Sequence, residues 1–144
     1  MTMQNSKELL GSILKTAQRG QTGIRSVMDT AMAPNLRTAL VRQLREYDAI
    51  ESEAHRMASQ RGWEIRELEP AARFFADRIT RIKLTGQDTD SRIAGILIQD
   101  STRGIIRELK NLHGFTGRDD GLRVLSQKLL DCENAGIRQL QSFL

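Results

Sequence analysis

The segment GSILKTAQRG at residues 11–20 has a counterpart in GILIQDSTRG at residues 95–104. Both segments begin with glycine, continue with apolar residues and end in Arg-Gly. Each lies in a stretch that predicts a long helix, a turn and a second helix. Because one helical hairpin cannot cover its own apolar stripe, two similar hairpins that face each other predict a four-helix bundle.

The composition also favours helices. The chain has 144 residues, enough for one domain with a buried core, and only two prolines. Its apolar content comes mainly from Leu, Ile, Ala and Met, which suit helices better than sheets. The predicted fold class is therefore all-α, and no strand is predicted.

The first hairpin has clear start and stop signals. Helix 1 is predicted from about Ser6 to about Ala33, where Pro34 stops it. Asn35 is predicted to cap helix 2, and this helix is expected to end at Gly62. The short turn between the two helices makes them antiparallel neighbours.

The second hairpin follows a polar run. Asp88, Asp90 and Ser91 are candidate caps for helix 3, and the glycine-rich and aspartate-rich region 114–121 separates helix 3 from helix 4. The residues of helix 3 predicted to face inward are Ile93, Leu97, Ile98, Ile105, Leu109 and Leu112.

A long connector separates the hairpins and is predicted to contain a short amphipathic helix of its own. Its length allows a crossover along the bundle, whereas a short turn would give simple up-down packing. Residues 70–85 could instead extend helix 3. The predicted organisation of the single domain 1–144 is a hairpin at 6–62, a crossover at 63–90 and a hairpin at 91–144.

Two segments carry a resemblance to a known group. The sequence IAGILIQDSTRGII at residues 93–106, preceded by the basic amphipathic stretch RITRIK at 78–83, resembles the ferritin-like superfamily. The similarity covers most of the chain and is closest to small uncharacterised bacterial proteins of that fold. It implies two related hairpins joined by a crossover, and it implies no particular activity.

The ligand pattern of the superfamily's di-metal proteins is missing. That pattern places Glu-x-x-His on each of two helices, with one further Glu from each of the others. Here His55 follows Ser52 at that spacing, and His113 follows Lys110. No metal and no cofactor is therefore predicted.

Polar residues nonetheless fall near mid-height on the predicted inward faces. They could satisfy one another or water, or they could be an altered ligand layer that holds one cation. The members of this predicted polar layer are Gln21, Glu51, His55, Ser101, Glu108 and Glu133.

Glycines inside helices are unfavourable by about 1 kcal/mol relative to alanine, so their positions need a reason. Gly20 and Gly23 on helix 1 and Gly95 and Gly104 on helix 3 occupy related places. The favoured interpretation is close approach of helices where the hairpins cross. The alternative is a cleft that admits a ligand.

Charge and cysteine content limit the function classes. The net charge of +4 is spread along the chain, which makes a nucleic-acid partner unlikely on sequence grounds. The single cysteine, Cys132, is predicted to be a buried core residue. No hydrophobic leader or membrane span is predicted, and the expected location is the cytoplasm.

The sequence predicts a non-catalytic bundle that acts through protein contacts. No pairing of a nucleophile with a base is apparent, and no phosphate-binding loop occurs. Val41, Val124 and Leu130 extend the apolar faces beyond a narrow seam, which favours a homodimer. The alternative function is a metal-binding or oxidoreductase descendant of the ferritin-like group.

Overall fold

The computed structural model describes residues 5–65 and 88–144, and these residues form four α-helices and no β-strand. The prediction of an all-α four-helix fold is confirmed. Residues 70–85, for which a separate helix or an extension of helix 3 was predicted, lie outside the described residues, as does most of the predicted crossover. The helices are α1 (Ser6–Val27), α2 (Pro34–Gln60), α3 (Thr89–His113) and α4 (Asp120–Gln141).

Helix α1 begins where its sequence predicts. The side chain of Asn5 accepts a hydrogen bond from the backbone N–H of Glu8 at 2.8 Å, and the Glu8 carboxylate accepts one from the backbone N–H of Asn5 at 3.4 Å. This capping box satisfies two of the backbone donors that a helix start leaves unpaired.

The end of α1 differs from the prediction, because the helix stops at Val27 rather than near Ala33. The guanidinium of Arg37 donates to the backbone carbonyls of Met28 at 2.8 Å and of Thr30 at 3.1 Å. These carbonyls are therefore satisfied without further helical turns.

The start of α2 also differs, because the N-cap is Ala33 and not Asn35. Alanine has no side-chain acceptor, and Pro34 at the first helical position needs no backbone partner. The carboxylate of Asp90, at the start of α3, instead accepts a hydrogen bond from the N–H of Ala33 at 3.2 Å. The predicted stop is confirmed, since Gly62 follows α2 with a φ of +67°.

Contacts between helix ends define how the four helices run. Helices α1 and α4 each pack against both α2 and α3. The Ala33–Asp90 hydrogen bond places the starts of α2 and α3 at one end of the bundle. At the other end, the ion pair of Arg61 with Asp119 joins the end of α2 to the start of α4. Helices α2 and α3 therefore run in the same direction on opposite corners of the bundle.

The core is apolar at both ends and polar in the middle. Leucine and isoleucine side chains from all four helices fill the ends. Cys132 lies at the edge of this core with 6% of its surface exposed, which confirms the prediction that it is buried. At mid-height the buried polar residues include Thr16, Gln21, Glu108 and Glu133.

The inward face of α3 is only partly the predicted one. Ile93 and Leu97 are buried as expected, but Leu109 is 39% exposed and its place is taken by Gly104 and Glu108. A straight helix that buries Leu97 continues inward at spacings of three and four residues, and these positions carry small and polar side chains here. Apolar content alone therefore gave the wrong face in the second half of α3.

A matched pair of substitutions in α1 tests the packing of the repeat glycines. A Cβ at Gly20 would overlap the aromatic ring of Tyr47, whereas a Cβ at Gly11 would have no atom within 4 Å. We expect Gly20→Ala to lower the free energy of unfolding by about 1–3 kcal/mol through overpacking. Gly11→Ala should raise it by up to about 1 kcal/mol. Urea denaturation measures both, and equal effects of the two substitutions would contradict this account.

Candidate functional site

A cavity of about 360 Å³ lies at the polar mid-height of the bundle, and all four helices contribute to its wall. Its volume is at the small end of the roughly 300–1,000 Å³ found for ligand pockets. Ile24 of α1 and Leu97 of α3 supply apolar surface, while Tyr47 of α2 and Glu133 of α4 supply polar groups. The cavity is the candidate site because it combines enclosed volume with buried polar groups.

The repeated Arg-Gly pair places the same two residue types at the cavity from two different helices. Arg19 and Gly20 on α1, and Arg103 and Gly104 on α3, all line it. The ring of Tyr47 occupies the space above Gly20. At Gly104, a Cβ would come within 3.0 Å of the Glu133 carboxyl group. Each glycine thus makes room for a large side chain from the other helix of its own hairpin.

Two interpretations of these glycines were open from sequence: close approach of helices where the hairpins cross, and a cleft. At Gly20 and Gly104 the side chain against the glycine comes from the same hairpin and not from the crossing. Each accepts a side chain from a neighbouring helix, and each also borders the cavity. Gly23 lines the cavity as well. Gly95 does not line it, and a Cβ there would only touch the side chain of Leu144 at 3.9 Å. Three of the four predicted glycines therefore belong to the site.

Glu133 is a deeply buried ionisable group of the cavity wall. It is 2% exposed, and the hydroxyl groups of Ser101 and Tyr47 lie against its carboxyl group. Its Oε2 atom has no hydrogen-bond partner within the described part of the chain. Burial raises the pKa of Glu133 to about 8, against the lowering effect of the two hydroxyls and of Arg107. At neutral pH this side chain is therefore mostly a neutral carboxylic acid that can donate as well as accept.

Glu108 is a second buried carboxyl group, one helical layer away on α3. It is fully buried, and its Oε1 atom accepts hydrogen bonds from Thr16 at 2.8 Å and from Ser12 at 3.2 Å. Burial raises the pKa of Glu108 above the ordinary value for glutamate, although these hydrogen bonds oppose the shift. Glu108 therefore holds α3 against α1 next to the cavity.

Arginines border the cavity on the side of α1 and α3. Arg107 is half-buried, and its Nε atom donates to Thr16 Oγ1 at 3.3 Å. Burial lowers the pKa of Arg107, and the positive charge of Arg19 lowers it further. Arg103 forms an exposed ion pair with Asp100 at 3.3 Å. This side of the cavity therefore carries a concentration of positive charge.

The predicted polar layer separates into two clusters rather than one. Gln21 is buried and donates to Asp48 at 2.8 Å and to Glu51 at 3.3 Å, in the interface of α1 with α2. Glu108 and Glu133 lie on the other side of α1, near α3 and α4. His55, predicted near Glu51, is exposed. Across residues 5–65 and 88–144, no group of three or more His, Cys, Asp or Glu side chains is placed to hold a metal ion.

Sequence reasoning missed several residues of the site. The sequence analysis did not single out Tyr47, and Arg19 and Arg103 entered it only as members of the repeat. Arg107 and Gln43, which also line the cavity, had no signal of their own. The repeated Arg-Gly pair was the sequence feature that could have located the site. The apolar positions of the repeat are explained by the core, whereas a repeated arginine beside a repeated glycine is not.

No helix in the described residues is both long and apolar enough to cross a membrane. In comparisons with family models, with curated proteins and with solved structures, nothing matches this chain. The cavity and its side chains are therefore the basis for the functional argument.

The raised pKa of Glu133 predicts how stability depends on pH. The groups that face this carboxyl are Tyr47 from α2 and Arg107 and Glu108 from α3, with Cys132 beside it on α4. In the unfolded chain Glu133 titrates near 4.5, and in the folded chain near 8. Protonated Glu133 contributes its full stabilisation of the folded state below pH 4.5. This stabilisation is lost as the pH rises through about 8. The free energy of unfolding should fall over this interval by at most about 1.4 kcal/mol per pH unit from this group.

The substitution Glu133→Gln tests this dependence, because glutamine has nearly the same shape and does not ionise. We expect the variant to gain stability relative to the natural protein as the pH rises from 5 to 8.5. Urea unfolding across this range measures the gain. Glu64→Gln, at an exposed position, is the control and should leave the profile unchanged. Parallel profiles for Glu133→Gln and the natural protein would contradict the assignment.

Proposed function

We propose that the protein is a non-enzymatic helical bundle that binds a small molecule in its central cavity. The observation that carries the proposal is the buried carboxyl group of Glu133, which belongs to the cavity wall and whose Oε2 atom has no hydrogen-bond partner in the described residues. A buried polar atom without a partner is unfavourable by roughly 1–3 kcal/mol, and native proteins keep few of them. A ligand that bonds to this atom would remove that cost.

A binding role is favoured over catalysis by the chemistry of the cavity wall. Ser101 lines the cavity, but neither of the chain's two histidines does. Burial raises the pKa of the Cys132 thiol, which disfavours the reactive thiolate. The carboxyl group beside Ser101 is that of Glu133, which is mostly protonated at neutral pH and in that form cannot accept a proton from a nucleophile. The altered metal site that the sequence left open has no supporting ligand group in the described residues.

The ferritin-like assignment of the bundle remains part of the proposal. Its support is that α2 and α3 run in the same direction while each hairpin is antiparallel. A bundle of this type needs a connection that travels its length between the second and third helices. A cavity between facing helices is also a usual place for ligand sites in such bundles.

Binding can be measured at Tyr47, because it is the only tyrosine of the chain and lines the cavity. With ¹³C-labelled tyrosine, the ring gives one set of NMR signals, and these should shift saturably with members of a small-molecule fragment library. A ligand at a hundred times its dissociation constant should add about 2.7 kcal/mol to the free energy of unfolding. The melting temperature should then rise by several degrees, since about 2–4 °C corresponds to 1 kcal/mol at this size.

Filling the cavity should abolish this binding. We expect Ser101→Leu to remove the shifts at Tyr47 while the variant stays folded, because the larger side chain occupies ligand volume. Thr102→Leu makes a similar change at the exposed neighbouring position and should bind normally. If Ser101→Leu fails to fold, Leu97→Phe supplies the same test with an apolar wall residue. Normal binding in the filled variants, or no binding by any fragment, would overturn the proposal.

Self-association is a second candidate function, and exposed apolar side chains favour it. Ile106 and Leu109 on α3 are 50% and 39% exposed, and Val124 on the neighbouring α4 is 55% exposed. Leu130 was predicted to belong to an apolar face that a partner covers, and this was wrong, because Leu130 is buried within the monomer with only 5% of its surface exposed. Val41 is half-buried. The outer face of α3 and α4 is therefore the better candidate for a dimer contact.

Light scattering tests the dimer directly. At tens of micromolar protein we expect a mass twice that of the chain, and Leu109→Glu should reduce it to the monomer mass by burying a charge in the contact. Ala49→Glu, at an exposed position of α2, should leave the dimer intact. A monomer mass for the natural protein would contradict this candidate.

A further inference from the structure

The chemical class of the ligand follows from the charges around the cavity, and this step rests on the proposed binding function. Three guanidinium groups, those of Arg19, Arg103 and Arg107, line the cavity on the side of α1 and α3. Within the described residues, Arg103 is paired with Asp100, and no ion pair involves Arg19 or Arg107. The last two are close enough that the charge of Arg19 lowers the pKa of Arg107. Two like charges held together favour an anion between them.

These arginines lie where the cavity opens. Arg107 borders the cavity and also two shallower surface grooves next to it, and Arg19 borders the cavity and one of these grooves. Arg19 is exposed while Arg107 is half-buried. A ligand that enters from the surface therefore meets the positive charge first.

The inner end of the cavity has different chemistry. The Glu133 carboxyl group belongs to the wall there, with the Tyr47 and Ser101 hydroxyls beside it, and its buried Oε2 atom has no hydrogen-bond partner in the described residues. The rest of the wall includes Ile24 and Leu97 together with the cavity glycines. A complementary ligand has a charged head, a compact apolar body and a polar atom.

We propose that the cavity binds a small organic oxyanion, a carboxylate or a phosphate ester, whose head group lies between Arg19 and Arg107. Its compact body occupies the cavity beside Glu133. Guanidinium groups match such head groups because they offer two parallel N–H donors, and hydrogen bonds between charged groups are about twice as strong as neutral ones. An ammonium head group would instead be repelled at the opening.

Four probes of one shape and different charge test this inference in the complete protein. They are benzoate, phenyl phosphate, the neutral benzamide and the cationic benzylamine, each titrated against the Tyr47 ring signals. We expect at least one of the two anions to bind roughly tenfold or more tightly than benzamide and benzylamine. Preference for benzoate identifies a carboxylate ligand, and preference for phenyl phosphate identifies a phosphate ester.

Variants at the opening locate the anion. Arg107→Gln and Arg19→Gln should each weaken binding of the preferred anion by roughly tenfold to a hundredfold and leave benzamide unaffected. Arg42→Gln is the matched control, since Arg42 is exposed on α2 away from the cavity. Because Arg19 is exposed, its variant should fold even if that of Arg107 does not.

Different results would contradict the anion assignment and the proposed binding function. Equal or tighter binding of benzamide or benzylamine would overturn the anion assignment while leaving a cavity that binds small molecules. Loss of affinity that is equal in Arg19→Gln and Arg42→Gln would also overturn it. Absence of binding by all four probes overturns the assignment as stated, and the fragment library then decides the binding function separately.

Discussion

The burial of the Glu133 carboxyl group is the constraint on which the middle of this bundle depends. A carboxyl group with 2% exposure and an unpartnered oxygen must be largely protonated at neutral pH or meet a ligand. The surrounding residues are arranged for the neutral form: glycine at position 104 makes room, and Tyr47 and Ser101 supply hydroxyls. The apolar ends of the bundle supply the stability that tolerates this arrangement.

The internal repeat supplies both the scaffold of the bundle and part of the cavity wall. Its apolar positions build two similar helices, α1 and α3, and its final Arg-Gly pair places a guanidinium and a glycine at one cavity from two directions. The two hairpins differ in what occupies the space over each glycine. At Gly20 it is the ring of Tyr47, and at Gly104 it is the carboxyl group of Glu133. The repeated helices α1 and α3 thus form a symmetric scaffold. The different side chains that α2 and α4 place over the two glycines make the cavity asymmetric.

Local signals predicted the elements well, and contacts between distant residues account for the differences. The Asn5 cap and the Gly62 stop depend on residues that are close in sequence, so both could be predicted from the sequence. The early end of α1 depends on Arg37, and the start of α2 depends on Asp90 of another helix. No periodicity in either segment contains that information.

The candidate site was predictable only in part for a related reason. Hydrophobic periodicity places polar residues such as Glu108 and Glu133 on inward faces, and the structure confirms that both are buried. It cannot say that Glu51 belongs to a different cluster, because this depends on which side of α1 each partner lies. It also placed Leu109 on the inward face, where the side chain is in fact 39% exposed, since a rule based on burying apolar surface does not anticipate a polar layer.

The most direct test of this account is the titration of the Glu133 carboxyl carbon itself. In protein labelled with ¹³C at the glutamate side-chain carboxyl, this resonance is assigned by its absence from Glu133→Gln and followed from pH 4 to pH 9.5. The account predicts a midpoint near pH 8, well above the value of 4.5 for an ordinary glutamate. A midpoint near that ordinary value would show an ionised and solvated carboxylate, and it would contradict the neutral buried acid at the centre of the bundle.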